Sequence, residues 1–225
     1  MKKWGWKIAT VALLLYTVTA GFLWEVPRLH IVNETIRALY FHVPMWFGMV
    51  ALFSASAVFG IRYLRQGQTH HDLYSASFAH AGMLLGTLGM VTGMVWAHYT
   101  WGTFWHWDPK QTGAAITYLV YLAYFVLRLS VENTEQRARL AAVYNIFAFA
   151  AMIPLIFIIP RLTDSMHPGS GGNPGFNMYD LDSRMRVVFY PAVAGWILLG
   201  FWLAQQRIRL KNAEEQLLEH EYEQP

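Results

Sequence analysis

LAAVYNIFAFAAMIPLIFII, residues 140–159, runs for 20 residues without an Asp, Glu, Lys or Arg. The hydrocarbon core of a bilayer is crossed by about 20 mostly apolar residues in helical form. A charge at the middle of such a helix costs at least ~2.5 kcal/mol. This stretch therefore reads as a transmembrane helix, and five more blocks of the same kind surround it. They cover about residues 6–24, 43–63, 76–99, 113–129 and 187–205, and none carries a charge in its middle third. Composition agrees: over 225 residues, 55% are hydrophobic and only 14% charged, where a soluble domain has about one quarter charged. The fold class expected is an all-α integral membrane protein with six transmembrane helices. The membrane domain is expected to end near residue 205, with 206–225 as a tail that forms a short helix. The first block follows Met1-Lys2-Lys3 like a signal peptide, but its apolar run exceeds a usual h-region and ends at Trp24, so it is taken as a retained span.

The absence of cysteine excludes disulfides, thiolate metal sites, a Cys nucleophile and a C-x-x-C-H covalent haem site. There is no G-x-x-x-x-G-K-[ST] sequence, so the chain is no ATPase of its own. The connecting segments divide the 17 Lys and Arg unevenly. One side takes Lys2, Lys3, Lys7, Arg62, Arg65, Arg128, Arg137, Arg139, Arg207, Arg209 and Lys211; the other takes Arg28, Arg37, Lys110, Arg161, Arg184 and Arg186. The positive-inside rule then puts both termini in the cytoplasm. A net charge of +3, with basic residues rimming a membrane, is not the footprint of nucleic-acid binding.

The cytoplasmic turns are short and charged, whereas the outer segments, about 25–42, 98–112 and 160–186, hold the unusual residues. The middle one contains Trp101, Phe104, Trp105 and Trp107. Indoles at a membrane edge ordinarily form a belt, and Trp4, Trp6, Trp24, Trp46, Trp196 and Trp202 suit that role. Three Trp and a Phe within seven residues exceed what a belt needs, and fit a platform for a large flat hydrophobic ligand. Asp108-Pro109-Lys110-Gln111 has the pattern of a helix start, with Asp as N-cap and Pro at the first helical position.

Histidine is the natural axial ligand in a chain without Cys, and topology sorts the nine present. His70, His71 and His220 fall on the cytoplasmic side, and His80 lies within the third helix as a buried, hydrogen-bonded residue. His30, His98 and His106 are outer and have water within reach. His42, at the outer mouth of the second helix before Val43-Pro44, and His167, before Pro168 at the head of the Gly-rich third outer segment, have more specific settings. One comes from a stiff helix end and the other from an adaptable loop, on the same side of the membrane. Such a pair can bind iron above and below a porphyrin; taken alone, each is also an ordinary interfacial histidine. Arg37, Lys110, Arg161 and Arg184, with Arg186, are outer cations suited to carboxylates, or to snorkelling at the membrane edge.

The run from Trp101 to Asp108 resembles the tryptophan-rich WWD signature of haem-handling proteins in cytochrome c maturation. Six helices, both ends inside, and the segment from Arg37 to Pro44 resemble the CcmC family, or haem exporter protein C, over about residues 3–205. The resemblance implies a bacterial inner-membrane protein that binds haem b non-covalently on its outer face, with His42 and His167 as axial iron ligands and the WWD loop around the porphyrin. It also implies delivery to a periplasmic chaperone, CcmE, with help from the small membrane protein CcmD and association with the ABC-transporter subunits CcmA and CcmB. No catalytic residue is implied. Asp108-Pro109-Lys110-Gln111-Thr112 departs from the usual CcmC continuation and looks closer to the CcsA/ResC cytochrome c synthetases, which are longer. A synthetase component attaching haem to apocytochrome is the first alternative, and a solute permease the second, although few polar residues line the helices.

Overall fold

In the computed structural model, which describes residues 2–167 and 181–222, six helices are long and apolar enough to cross a membrane. Helix α1 spans Lys2–Leu23, and a 3-10 turn, Asn33–Ala38, leads into α2, Leu39–Gln66. Then come α3, Thr69–Trp101, and α4, Pro109–Ser130. Helix α5, Thr134–Ile153, continues through a π-helical turn, Pro154–Ile158, into the four-residue α6, Ile159–Leu162. Helix α7 spans Ser183–Tyr222. The third outer segment lies outside the described residues from 168 to 180, including Pro168. Each hydropathy block corresponds to one span, and most of the helices run past their block at both ends, because polar caps and interfacial turns continue a helix past its apolar stretch. Residues 206–222 continue α7 without interruption, so the expected helical tail is the extension of the last span.

The exterior is apolar and the interior contains the polar groups, the arrangement of a multi-pass membrane protein. Ile8, Val11, Leu15, Val18 and Phe22 form an exposed stripe on α1, while Asn145, Ser56, Ser75 and Thr117 are buried. Asn145 donates its Nδ2 to Ser56 Oγ at 2.7 Å and to Ser75 Oγ at 3.0 Å. The two serines bond each other's backbone carbonyls. Without water inside a bilayer such groups must satisfy one another, and here they join α2, α3 and α5.

Helix α2 is the hub, packed on α3, α5 and α7, with α1 outside α7 and α4 against α5. The α2–α3 contact is built on glycine. A Cβ added at Gly82, Gly86, Gly89 or Gly93 would collide with Phe53, Met49, Trp46 and His42 in turn. The spacing of these glycines keeps them on one face of α3. Small residues at that spacing let two membrane helices approach closely.

Six spans put both termini at one end of the bundle. That end is tied by a two-pronged Arg128–Asp72 pair at 2.6 and 2.8 Å between α4 and α3. It is also tied by the Lys7 ammonium, which sits over the rings of Trp4, Trp6 and Trp202. The opposite end, called here the loop end, holds residues 24–38, 102–108 and 163–167 and the start of α7.

Pro154 has no N–H to donate, and such an interruption of the α-helical ladder favours a wider turn. The π-turn directs the Leu155 carbonyl towards α4, where a Cβ at Gly113 would overlap its oxygen. This contact fixes the distance between the start of α4 and the chain entering 163–167. Gly113→Ala should cost about 1–3 kcal/mol through overpacking, read as a lower melting temperature in detergent. Gly5→Ala, which meets nothing within 4 Å, should change stability by no more than ~0.5 kcal/mol. Equal melting of the two variants would remove the role given to the α4–π-turn contact.

Candidate functional site

The last three turns of α3 organise the loop end. His42, two residues before Pro44 on α2, donates Nδ1–H to the Gly89 carbonyl at 2.9 Å, with Thr92 Oγ1 at 3.4 Å. Its ring fits only because Gly93 has no side chain. Trp46 and Trp96 stand edge-on to it, with ring centroids 6.2 and 5.9 Å away. Trp96 is itself held by an Nε1–H bond to Thr35 Oγ1 at 3.2 Å. His42 is thus a half-buried imidazole at the end of the glycine ladder.

Helix α3 ends at Trp101 with Gly102 in the left-handed region, φ 86°. The chain returns to α4 through a loop that is stapled internally. The His106 N–H donates to Gln111 Oε1 at 2.9 Å, and His106 Nε2 donates to the Trp101 carbonyl at 3.1 Å. Trp107 takes φ 56°, rare for a bulky residue. This turn exposes the Trp107 ring while burying Asp108, which is 77% and 5% exposed respectively. Asp108 is the N-cap of α4, as its sequence pattern predicts: Oδ1 accepts the Lys110 N–H at 2.9 Å, with Pro109 at the first helical position.

The same carboxylate holds a second loop. Ser165 Oγ–H and the Met166 N–H reach Oδ2 at 2.9 and 2.8 Å, and His167 Nδ1–H reaches Oδ1 at 2.8 Å. Burial alone would raise the Asp108 carboxyl pKa. The His167 hydrogen bond and charge, with the Met166 and Ser165 bonds, outweigh it and hold the group well below the usual carboxylate range. Trp101 stands edge-on to the His167 ring at 4.8 Å. The described part of this loop is therefore anchored rather than adaptable, because a buried carboxylate must be satisfied and Ser165, Met166 and His167 satisfy it.

His42 lies beside Trp96 and His167 beside Trp101, five residues or roughly 7.5 Å apart along α3. In both residues Nδ1 donates its proton, since a carbonyl and a carboxylate only accept; in the neutral imidazole this leaves the lone pair to Nε2. His80 donates Nδ1–H to the Ala76 carbonyl, and its Nε2 already accepts from Arg207 at 3.0 Å. His106 and His71 have Nε2 on Trp101 O and Gln66 Oε1. His98 is stacked on Phe104 at 4.4 Å.

The aromatic residues divide. Trp101 belongs with His167, Phe104 with His98, and Trp105 packs on Trp107 at 5.7 Å with planes 89° apart. Perpendicular rings cannot both lie flat on one ligand, so this pair can offer one face and one edge. The cations divide as well. Arg37 donates to the Gly21 and Trp24 carbonyls at 2.8 and 2.6 Å and pairs with Glu34, closing the C-terminus of α1. Arg184 pairs with Asp182 at 3.3 Å and borders a 470 Å³ cleft with Leu23, Trp24, Glu25 and Val187. Lys110 opens α4 and Arg161 lies exposed on α6. Gly89, Thr92, Gly93 and Ser165 were missed as supports of the two histidines. The Gly82, Gly86, Gly89, Gly93 spacing was the signal that could have found the helix contact.

The chain is similar to proteins of known family. It is 26% identical over 215 residues to heme exporter protein C of Paracoccus denitrificans, covering 94% of this chain and 87% of that one. It is 31% identical over 175 residues to heme exporter protein C of Rhodobacter capsulatus, covering 72% and 66%. A shorter stretch, 38% of this chain and 29% of the other, is 42% identical to cytochrome c biogenesis protein CcsA of a Synechococcus species. The profile of the heme exporter protein C family matches residues 1–224. The chain belongs to the heme exporter protein C (CcmC) family, and it is a haem-handling membrane protein of cytochrome c biogenesis whose task is transport rather than catalysis.

Proposed function

We propose that the loop end binds haem b non-covalently as cargo, with His42 and His167 as axial ligands to iron, and delivers it to a haem chaperone of the CcmE type. The observation that supports this reading is the shared hydrogen-bonding state of the two histidines. Each holds Nδ1–H on a protein acceptor, 2.9 Å for His42 and 2.8 Å for His167, the arrangement that fixes tautomer and ring orientation in metal-ligating histidine. Both pack against the C-terminal part of α3, His42 beside Trp96 and His167 beside Trp101. The bound haem supplies the iron and two propionates. The protein supplies imidazole nitrogen, aromatic walls and cations.

Trp101 forms the wall beside His167, and Trp105, Trp107 and Phe104 cover the porphyrin edge. Trp107 at 77% and Phe104 at 49% exposure are the surfaces a partner meets when cargo leaves. Lys110, Arg161 and Arg184 receive the propionates; Arg37, engaged with α1, holds the helix that flanks them. Non-covalent ligation by histidine suits a carrier, since it can be exchanged for a ligand of the acceptor. The loop end faces the periplasm and both termini face the cytoplasm, as the Lys and Arg distribution indicates. The complex includes a CcmD-like small membrane protein and CcmA/CcmB-like ABC-transporter subunits. Among the described residues no feature favours a synthetase or a permease.

Absorption spectra of purified protein reconstituted with haem test the ligand pair. Wild type should give a six-coordinate, low-spin spectrum, and His42→Ala or His167→Ala should lose that spectrum or the haem. Unchanged spectra and unchanged transfer in both variants would discard the assignment. Trp101→Ala should weaken haem binding about two- to tenfold, equivalent to ~0.5–1.5 kcal/mol for one aromatic contact. Titration of haem into the apoprotein measures this, and Trp101→Phe should recover most of the loss.

A further inference from the structure

The two histidines differ in what stands behind them. His42 gives its Nδ1 proton to a neutral carbonyl, whereas His167 gives it to a carboxylate whose side chain is 1% exposed. We infer that Asp108 is a positioning residue for haem: its carboxylate aims His167 Nε2 at the iron and makes His167 the stronger electron donor of the pair. This inference rests on the ligand reading above and adds an asymmetry to it.

The geometry shows more than an N-cap. A cap requires one acceptor for the first-turn N–H groups, and Lys110 N–H satisfies that through Oδ1. The carboxylate takes three further partners from 57 to 59 residues away in sequence. Ser165 Oγ, besides bonding Asp108, accepts the His167 N–H at 3.1 Å, so backbone and ring of His167 are both set from one anchor. Trp101 at 4.8 Å flanks the ring, and the imidazole is thereby held by a hydrogen bond along its Nδ1 edge and by an indole beside it. A hydrogen bond to a buried anion draws the Nδ1 proton away from the ring and raises the basicity of Nε2. A more basic axial ligand favours ferric over ferrous iron, while His42 on its carbonyl does so less. The consequence for a carrier is a firm ligand on the loop and a weaker one on α2.

The test compares haem-loaded wild type with Asp108→Asn and Asp108→Ser. Asn keeps an acceptor for Lys110 but removes the charge; Ser is a competent N-cap too short to reach His167. Both should lower haem affinity about 10–100-fold, the usual cost of losing the group that holds a ligating histidine's other ring nitrogen. Asn should also lower the ferric-over-ferrous preference about tenfold, a rise of ~59 mV in the one-electron midpoint potential. Asp108→Glu should recover part of the affinity. Melting temperature, read in parallel on the apoproteins, separates these effects from loss of the cap. If His167→Ala abolishes binding while Asn and Ser retain wild-type affinity and potential, Asp108 is a cap and loop anchor only and this inference falls. If His167→Ala leaves haem binding intact, the ligand reading itself falls. Failure of both Asn and Ser to fold would make the role purely structural, which also overturns the proposal.

Discussion

Four glycines along one face of α3 let α2 approach closely enough for Phe53, Met49, Trp46 and His42 to settle against its backbone. In a bilayer the lipid tails are as apolar as leucine, so helices associate through packing and internal hydrogen bonds rather than through escape from water. The glycine contact is what makes the packing dense. It runs from the buried Phe53–Tyr121 stack to the loop end, where its last partner is an imidazole. His42 is consequently part of the packing of the bundle before it is part of a site, and its position inherits the rigidity of the two helices.

The second histidine is placed by a different force. Asp108 is buried at the start of α4, and a buried carboxylate is tolerated only when its oxygens are filled with donors. Those donors come from its own helix and from residues 165–167, so satisfying one side chain joins two loops far apart in sequence. The Gly113–Leu155 contact holds the π-turn and α4 at the separation this requires. Packing on one side and electrostatic satisfaction on the other deliver two imidazoles in the same tautomer to neighbouring turns of α3.

Much of this was legible in the sequence, for reasons of transfer free energy and local chemistry. Residues 140–159 and the five similar blocks cannot be exposed to water at acceptable cost, so six spans follow from hydropathy alone. Asp108-Pro109 marks a helix start by its own capping chemistry. The concentration of Trp101, Trp105 and Trp107 with His42 and His167 outside the spans drew attention to one end of the molecule. Arg37 shows the boundary of such reasoning: as an outer arginine it looked available to a carboxylate, but it closes the C-terminus of α1. His80, read as a buried, hydrogen-bonded residue, is one, but its partner Arg207 lies 127 residues later in the chain.

What the sequence determined by itself, then, was each element and the chemical kind of each loop, because burial cost, capping and residue type act on segments a few residues long. Which glycine receives which side chain, which arginine is already engaged, and that Asp108 stands behind His167 depend on register between helices distant in sequence. Only the tertiary structure decides these, since a hydrogen bond between residues 108 and 167 exists only once α4 and the π-turn have packed side by side.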